Sequence, residues 1–126
     1  CTFTTAPSGS FYIVVKTNNT TQTWSATPQT VGAVPLNYNF SNALNKAFGD
    51  NMVNLEPGVF GFYSGDINQD EVIDGSDATS LDLDIFNSEF GVKVTDLNAD
   101  GSVDGSDATY FENNSYNSIF AIYPTP

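Results

Sequence analysis

Histidine and arginine do not occur in this 126-residue chain; cysteine and tryptophan occur once each and lysine three times. Without histidine, the usual general base and the usual zinc ligand are missing. Cys1 has no second cysteine to pair with and no partner base, so no internal disulfide and no cysteine nucleophile is expected. So few cations exclude the basic patches that nucleic acid and anionic membranes require. No glycine-rich loop precedes a helix in the way phosphate binding needs, and no apolar run approaches the length of a membrane span. Cys1 also opens the chain, with neither an initiator methionine nor a signal peptide before it. It is expected either as the lipidated first residue of a lipoprotein or, preferred here, as the start of a piece of a longer polypeptide.

What the chain does have is acid. Fifteen Asp and Glu against three lysines give a formal charge of −12, and thirteen of the acids fall between Asp66 and Glu112. This charge is local, and like-charge repulsion would loosen the C-terminal half unless cations sit among the carboxylates. Two divalent ions would bring −12 to −8 (−12 plus two charges of +2). Carboxylate pairs can hydrolyse glycosides, but a metal-bound carboxylate has its pKa lowered, the opposite of what a general acid needs. No enzymatic activity is expected.

The acids follow a repeat. Residues 66–77 read DINQDEVIDGSD, residues 96–107 read DLNADGSVDGSD, and twelve of the twenty-five pairs from 66/96 to 90/120 are identical. Oxygen-bearing residues recur at places one, three, five, nine and twelve, the spacing with which a twelve-residue loop wraps a calcium ion in six to eight oxygens. The expected ligands of the first loop are Asp66, Asn68, Asp70, the carbonyl of Val72, Asp74 directly or through water, and Asp77. Those of the second are Asp96, Asn98, Asp100, the carbonyl of Ser102, Asp104 and Asp107. Ile73 and Val103, in eighth place, are expected to point into a small core. Sixth place calls for Gly at a sharp turn; Gly101 complies, whereas Glu71 predicts a strained backbone or a weaker first site. Loops of this type suit compartments with millimolar calcium.

Each loop should lead into a short helix, over 77–86 with Ala78, Leu81 and Ile85 on one face, and over 107–116 with Ala108, Phe111 and Ser115. Phe86, Phe90, Tyr110, Phe111, Tyr116 and Phe120 are expected as the core between the two loop-helix units. Asp82, Asp84, Glu112 and Asn114 are expected on a solvated face. Ile119 to Tyr123 is read as a closing strand.

Residues 1–62 read as β structure: an extended run Thr2 to Thr5, a strand Gly9–Thr17, a turn at Asn18-Asn19, and a returning strand from Thr20 to Ala26. Leu36–Phe40 alternates as a half-buried strand does; Ser41 would cap a helical segment, 42–48, ended by Gly49. Pro57-Gly58 is a turn before a last strand, Val59–Tyr63. Trp24, with Tyr12 and Tyr38, offers a weak carbohydrate-stacking reading against simple packing. Asn18, Asn19, Asn39 and Asn113 begin glycosylation triplets on which no function is placed.

Asp in twelfth place, a following helix and a second copy together resemble the type I dockerin. The wider order, from Ser10-Phe-Tyr-Ile-Val-Val-Lys16 through Thr23-Trp-Ser-Ala-Thr-Pro28 and Lys46-Ala-Phe-Gly-Asp-Asn-Met52 to Gly61-Phe-Tyr-Ser-Gly-Asp-Ile-Asn-Gln-Asp70, resembles the C-terminal region of large secreted surface proteins of gliding and polysaccharide-degrading Gram-negative bacteria. The resemblance implies a mainly β fold with a small α portion: a β-sandwich over 1–63, incomplete here, running without a flexible linker into a dockerin-like calcium portion over 64–126. It implies an extracellular or cell-surface setting, two Ca2+ ions, and a protein partner or self-association through the β portion. Two alternatives stand beside an adhesion or assembly module. One is a fibre subunit completed by a neighbour's strand; the other is a dockerin that binds a cohesin through Gly75-Ser76 and Gly105-Ser106, although basic residues expected after those places are missing.

Overall fold

The computed structural model describes residues 7–125; Cys1 and the expected extended run Thr2 to Thr5 lie outside them. The fold is a mixed one, with 25% helix and 21% strand and no closed barrel among the described residues. The chain divides into two compact units. One contains residues 7–15, 23–61 and 122–125; the other contains residues 16–22 and 62–121.

The first unit holds six short strands, β1 (Gly9–Phe11), β2 (Val14–Val15), β3 (Thr23–Trp24), β4 (Gln29–Val31), β5 (Val53–Glu56) and β6 (Val59–Gly61), joined as three separate antiparallel pairs. The expected strand Gly9–Thr17 is therefore broken in two. Ser10 lies opposite Thr30 and Val14 opposite Trp24. Between these pairings the returning arm carries two more residues than the outgoing one, among them Pro28, which has no N–H to give a ladder. Ser25, wholly buried, closes the gap: its hydroxyl accepts the Ile13 N–H at 3.0 Å and its own N–H donates to the Ile13 carbonyl at 2.8 Å.

Leu36–Phe40 forms no strand, and Leu36 is exposed. Tyr38 folds back locally instead: its hydroxyl donates to the Lys46 carbonyl at 2.6 Å and its ring meets Phe40 edge-on. The expected helix over 42–48 is replaced by two 3-10 turns, Leu44–Lys46 and Phe48–Asp50, with Gly49 inside the second at φ 64°. Ser41 does not cap them, because its N–H and hydroxyl are both taken by the Asn39 side chain. Pro57-Gly58 does turn β5 into β6, with Gly58 at φ 82°; β6 ends at Gly61, two residues before the predicted end. Trp24 is half-buried and packs against the Tyr12 and Tyr123 rings, at centroid distances of 5.9 and 6.3 Å. Tyr38 pairs with Phe40 elsewhere.

The second unit is built on the repeat. Helices α1 (Gly75–Phe86) and α2 (Gly105–Tyr116) follow the two loops and begin two residues earlier than predicted. Asp74 and Asp104 cap them, each side chain accepting the N–H two residues on, while Asp77 and Asp107 reach back to the capping residue's own N–H. The core is Ile73, Leu81, Val103 and Phe111, with Ala78, Ile85, Ile67 and Leu97 packed against it. The eighth-place residues thus point inward, as expected.

The copies interlock reciprocally. The segment after α1 pairs with the second loop, Gly91 N–H to Gly101 carbonyl at 2.8 Å and Val103 N–H to Glu89 carbonyl at 2.9 Å. The segment after α2 pairs with the first loop in the same way, Ala121 to Glu71 at 2.8 Å and Ile73 to Ile119 at 2.9 Å. The expected closing strand 119–123 is reduced to this single bridge, Phe120 opposite Val72.

The aromatic core is not the expected one. Of the six rings placed there, only Phe111 is buried; Phe86, Phe90 and Tyr116 are 85%, 79% and 90% exposed, and Tyr110 and Phe120 about half so. Aliphatic Ile73, Leu81 and Val103 with one phenyl ring fill the small space between two helices of twelve residues, so the bulkier rings at the helix ends lie beyond it.

Candidate metal centre in the paired aspartate loops

The loops are shaped by their own amide groups. In the first, Asp77 Oδ1 accepts the N–H groups of Ile67 and Asn68 at 2.7 and 2.9 Å, and Oδ2 accepts that of Asp74 at 3.0 Å. Asp107 repeats this with Leu97, Asn98 and Asp104 at 2.7, 3.2 and 2.9 Å. Asn68 and Asp70 take the amides two residues on, as do Asn98 and Asp100. Asp66, Asp77 and Asp107 are wholly buried. A turn in which N–H after N–H aims inward is a concave electropositive frame that fixes carboxylates on its inner side.

Backbone conformation serves the same end. The fourth and sixth places of both loops have positive φ: Gln69 at 66° and Glu71 at 74°, Ala99 at 60° and Gly101 at 89°. Glu71 therefore does occupy the strained left-handed region that favours glycine. The pairing to the opposite tail uses the sixth-place carbonyl and the eighth-place N–H. Val72 and Ser102, between them, keep their carbonyls out of that pairing.

In both loops the side chains of the predicted ligands rest on amide groups of their own loop. Among the described residues no three acidic, histidine or cysteine side chains meet around one point. Asp74 and Asp104 differ from the expectation in being helix caps first: Ser76 donates its N–H and hydroxyl to Asp74 at 2.8 Å each, holding its carboxyl below the ordinary range, and Ser106 does the same for Asp104. Each uses one oxygen for this.

Asp66 is the exception in the network. Its Oδ2 accepts the Glu71 N–H at 3.2 Å, while its Oδ1 is buried with no donor. Burial pushes the Asp66 carboxyl up; the Glu71 amide opposes this, and the charges of Glu71 and Asp77 add to it. A buried carboxylate oxygen without a donor is costly, and a hard cation is the partner that all-oxygen chemistry would supply. The donor set fits calcium: carboxylates, amide oxygens and a seventh-place carbonyl in each loop.

Several residues that shape the loops are not evident in the sequence. The Thr95 hydroxyl donates to Asp84 at 2.6 Å, tying α1 to the residue before the second loop; Asn114, the counterpart of Asp84, donates to the Ser64 carbonyl at 2.7 Å just before the first. Asp84 and Asn114 are thus half-buried anchors rather than part of a solvated face, whereas Asp82 and Glu112 are exposed. Glu71 forms an ion pair with Lys16, and Asn19 reaches Asp96. Apart from Thr95 and Asp84, 11 residues apart, these partners stand 50 to 77 residues apart and leave no local signal in sequence. Comparison with protein-family models, with curated proteins and with solved structures returns no match.

Proposed function

We propose that the chain is a non-catalytic, extracellular calcium-binding structural module whose two Asp-rich loops take one Ca2+ each and so rigidify a cell-surface or assembly domain. The observation that carries this reading is the buried, partnerless Asp66 Oδ1 at the first place of a loop whose spacing is that of a calcium site. Asp66, Asn68, Asp70, Val72, Asp74 and Asp77 would hold one ion, and Asp96, Asn98, Asp100, Ser102, Asp104 and Asp107 the other. Bound calcium neutralises part of the acidic charge and draws the first- and twelfth-place carboxylates together. Because the ion binds the folded loops and hardly at all the unfolded chain, its binding free energy becomes folding free energy. A calorimetric titration tests this: two ions per chain are expected, and one in the double variant Asp96→Ala, Asp107→Ala. No binding at millimolar calcium would overturn the reading.

A second reading, a fibre subunit, is favoured by the strand pairs of the first unit. Among the described residues each pair is two strands wide, and Leu55 of β5 is 60% exposed. Such edges would be completed to a sandwich by a strand from a neighbouring protomer. Sedimentation of the purified chain separates the two: a polymer supports the fibre, a monomer the module.

A further inference from the structure

The geometry points to the segment 16–22, which connects β2 to β3, as a strap that couples the two metal loops; this rests on the calcium reading above. The segment lies in the second unit with the loops, and its Thr20 and Thr21 are buried. At the first loop it is held by Glu71. One Glu71 oxygen takes the Lys16 ammonium, and the other accepts the Gln22 N–H at 2.8 Å. The Glu71 N–H in turn donates to Asp66. The sixth-place residue that departs from glycine therefore links the strap to the first-place ligand.

Asn19 does the joining. Its carbonyl accepts the N–H of Gly65, the residue before Asp66, at 2.8 Å, and its side-chain amide donates to the carbonyl of Asp96 at 3.3 Å. One residue outside both loops thus fixes the backbone at the first-place ligand of each. A cation that draws Asp66 inward would pull on a residue that also holds Asp96, and the reverse. Asn19 and Glu71 are positioning residues, since neither belongs to the expected ligand set. The contact at the second loop is one hydrogen bond beside an open depression lined by Asn18, Asn19, Asp96 and Asp100. The coupling should therefore sit at the low end of the usual range, about fivefold in affinity.

The test uses the full chain and calcium as the probe. Disabling the second loop with Asp96→Ala should weaken calcium binding at the first loop about fivefold, and the same comparison made in an Asn19→Ala background should show most of that difference gone. An equal effect of Asp96→Ala with and without Asn19→Ala would overturn the strap. Amide exchange gives a second readout that survives a poorly folded variant: calcium should slow exchange of the Gln22 N–H in the natural chain and not in Glu71→Ala. Unchanged Gln22 exchange in a chain that binds two ions would overturn the strap alone; failure to bind calcium at all would overturn the metal reading and the strap with it.

Discussion

Asp66 and Asp96 hold the first place of two copies of one loop, yet their carboxylates are met differently. Asp96 receives the amides of Asp100 and Gly101 on separate oxygens, at 3.2 and 3.0 Å, whereas Asp66 receives only that of Glu71. Asp66→Asn would remove the buried charge and its repulsion with Asp77 and Glu71 while keeping an oxygen for the Glu71 N–H. In chelator the variant should be as stable as the natural chain or more so by about 1 kcal/mol; in calcium it should lose the gain the ion brings. Melting curves under both conditions check the change of sign.

Calcium should raise the melting temperature steeply. At a free concentration one hundred times the dissociation constant, each site adds about 2.7 kcal/mol. For a unit of this size about 1 kcal/mol moves the midpoint by roughly 4–8 °C. One filled site should therefore raise it by more than about 10 °C, read by circular dichroism of α1 and α2.

The aromatic rings offer a sharper check on the packing. Phe111→Ala removes the one buried ring of the loop-helix core and should cost about 3–5 kcal/mol. Phe86→Ala, at a side chain 85% exposed, should stay within about 0.5 kcal/mol. Equal losses in urea denaturation would restore the larger aromatic core that the sequence alone suggests.

That contrast shows where sequence reasoning holds. The loops, the helices after them and the inward Ile73 and Val103 were legible because each is set by spacing within one twelve-residue stretch, and the stretch occurs twice. The position of Phe86 was not: helical periodicity places a residue on a face but does not say how far the opposite element extends. The strand Gly9–Thr17 failed for a related reason, since its break is imposed by Ser25 and Pro28 on the partner arm. Leu36–Phe40 alternates as a strand would, yet alternation supplies no ladder partner, and the Tyr38 hydroxyl found Lys46 instead. Glu71 was legible as a departure from the loop pattern, but its purpose lies in Lys16 and Gln22, about fifty residues away.

Acid titration of the chelated chain should show two opposed limbs around the ordinary Asp value of 3.8. The Ser76 and Ser106 hydrogen bonds hold Asp74 and Asp104 below it, so their contribution to stability is present above 3.8 and is lost as pH falls through the lowered values. Burial holds Asp66 above it, so the folded chain keeps that proton longer than the unfolded chain does. Its contribution is present below 3.8 and is lost as pH rises through the raised value. Stability in chelator should thus climb on the acid side of 3.8 and decline just above it. Calcium, which favours the ionised carboxylate, should abolish the declining limb and leave the climbing one. Carboxyl carbon resonances resolve the groups directly: Asp66 should titrate at higher pH than Asp74 and Asp104, and the reverse order would remove the buried, partnerless oxygen on which the metal reading stands.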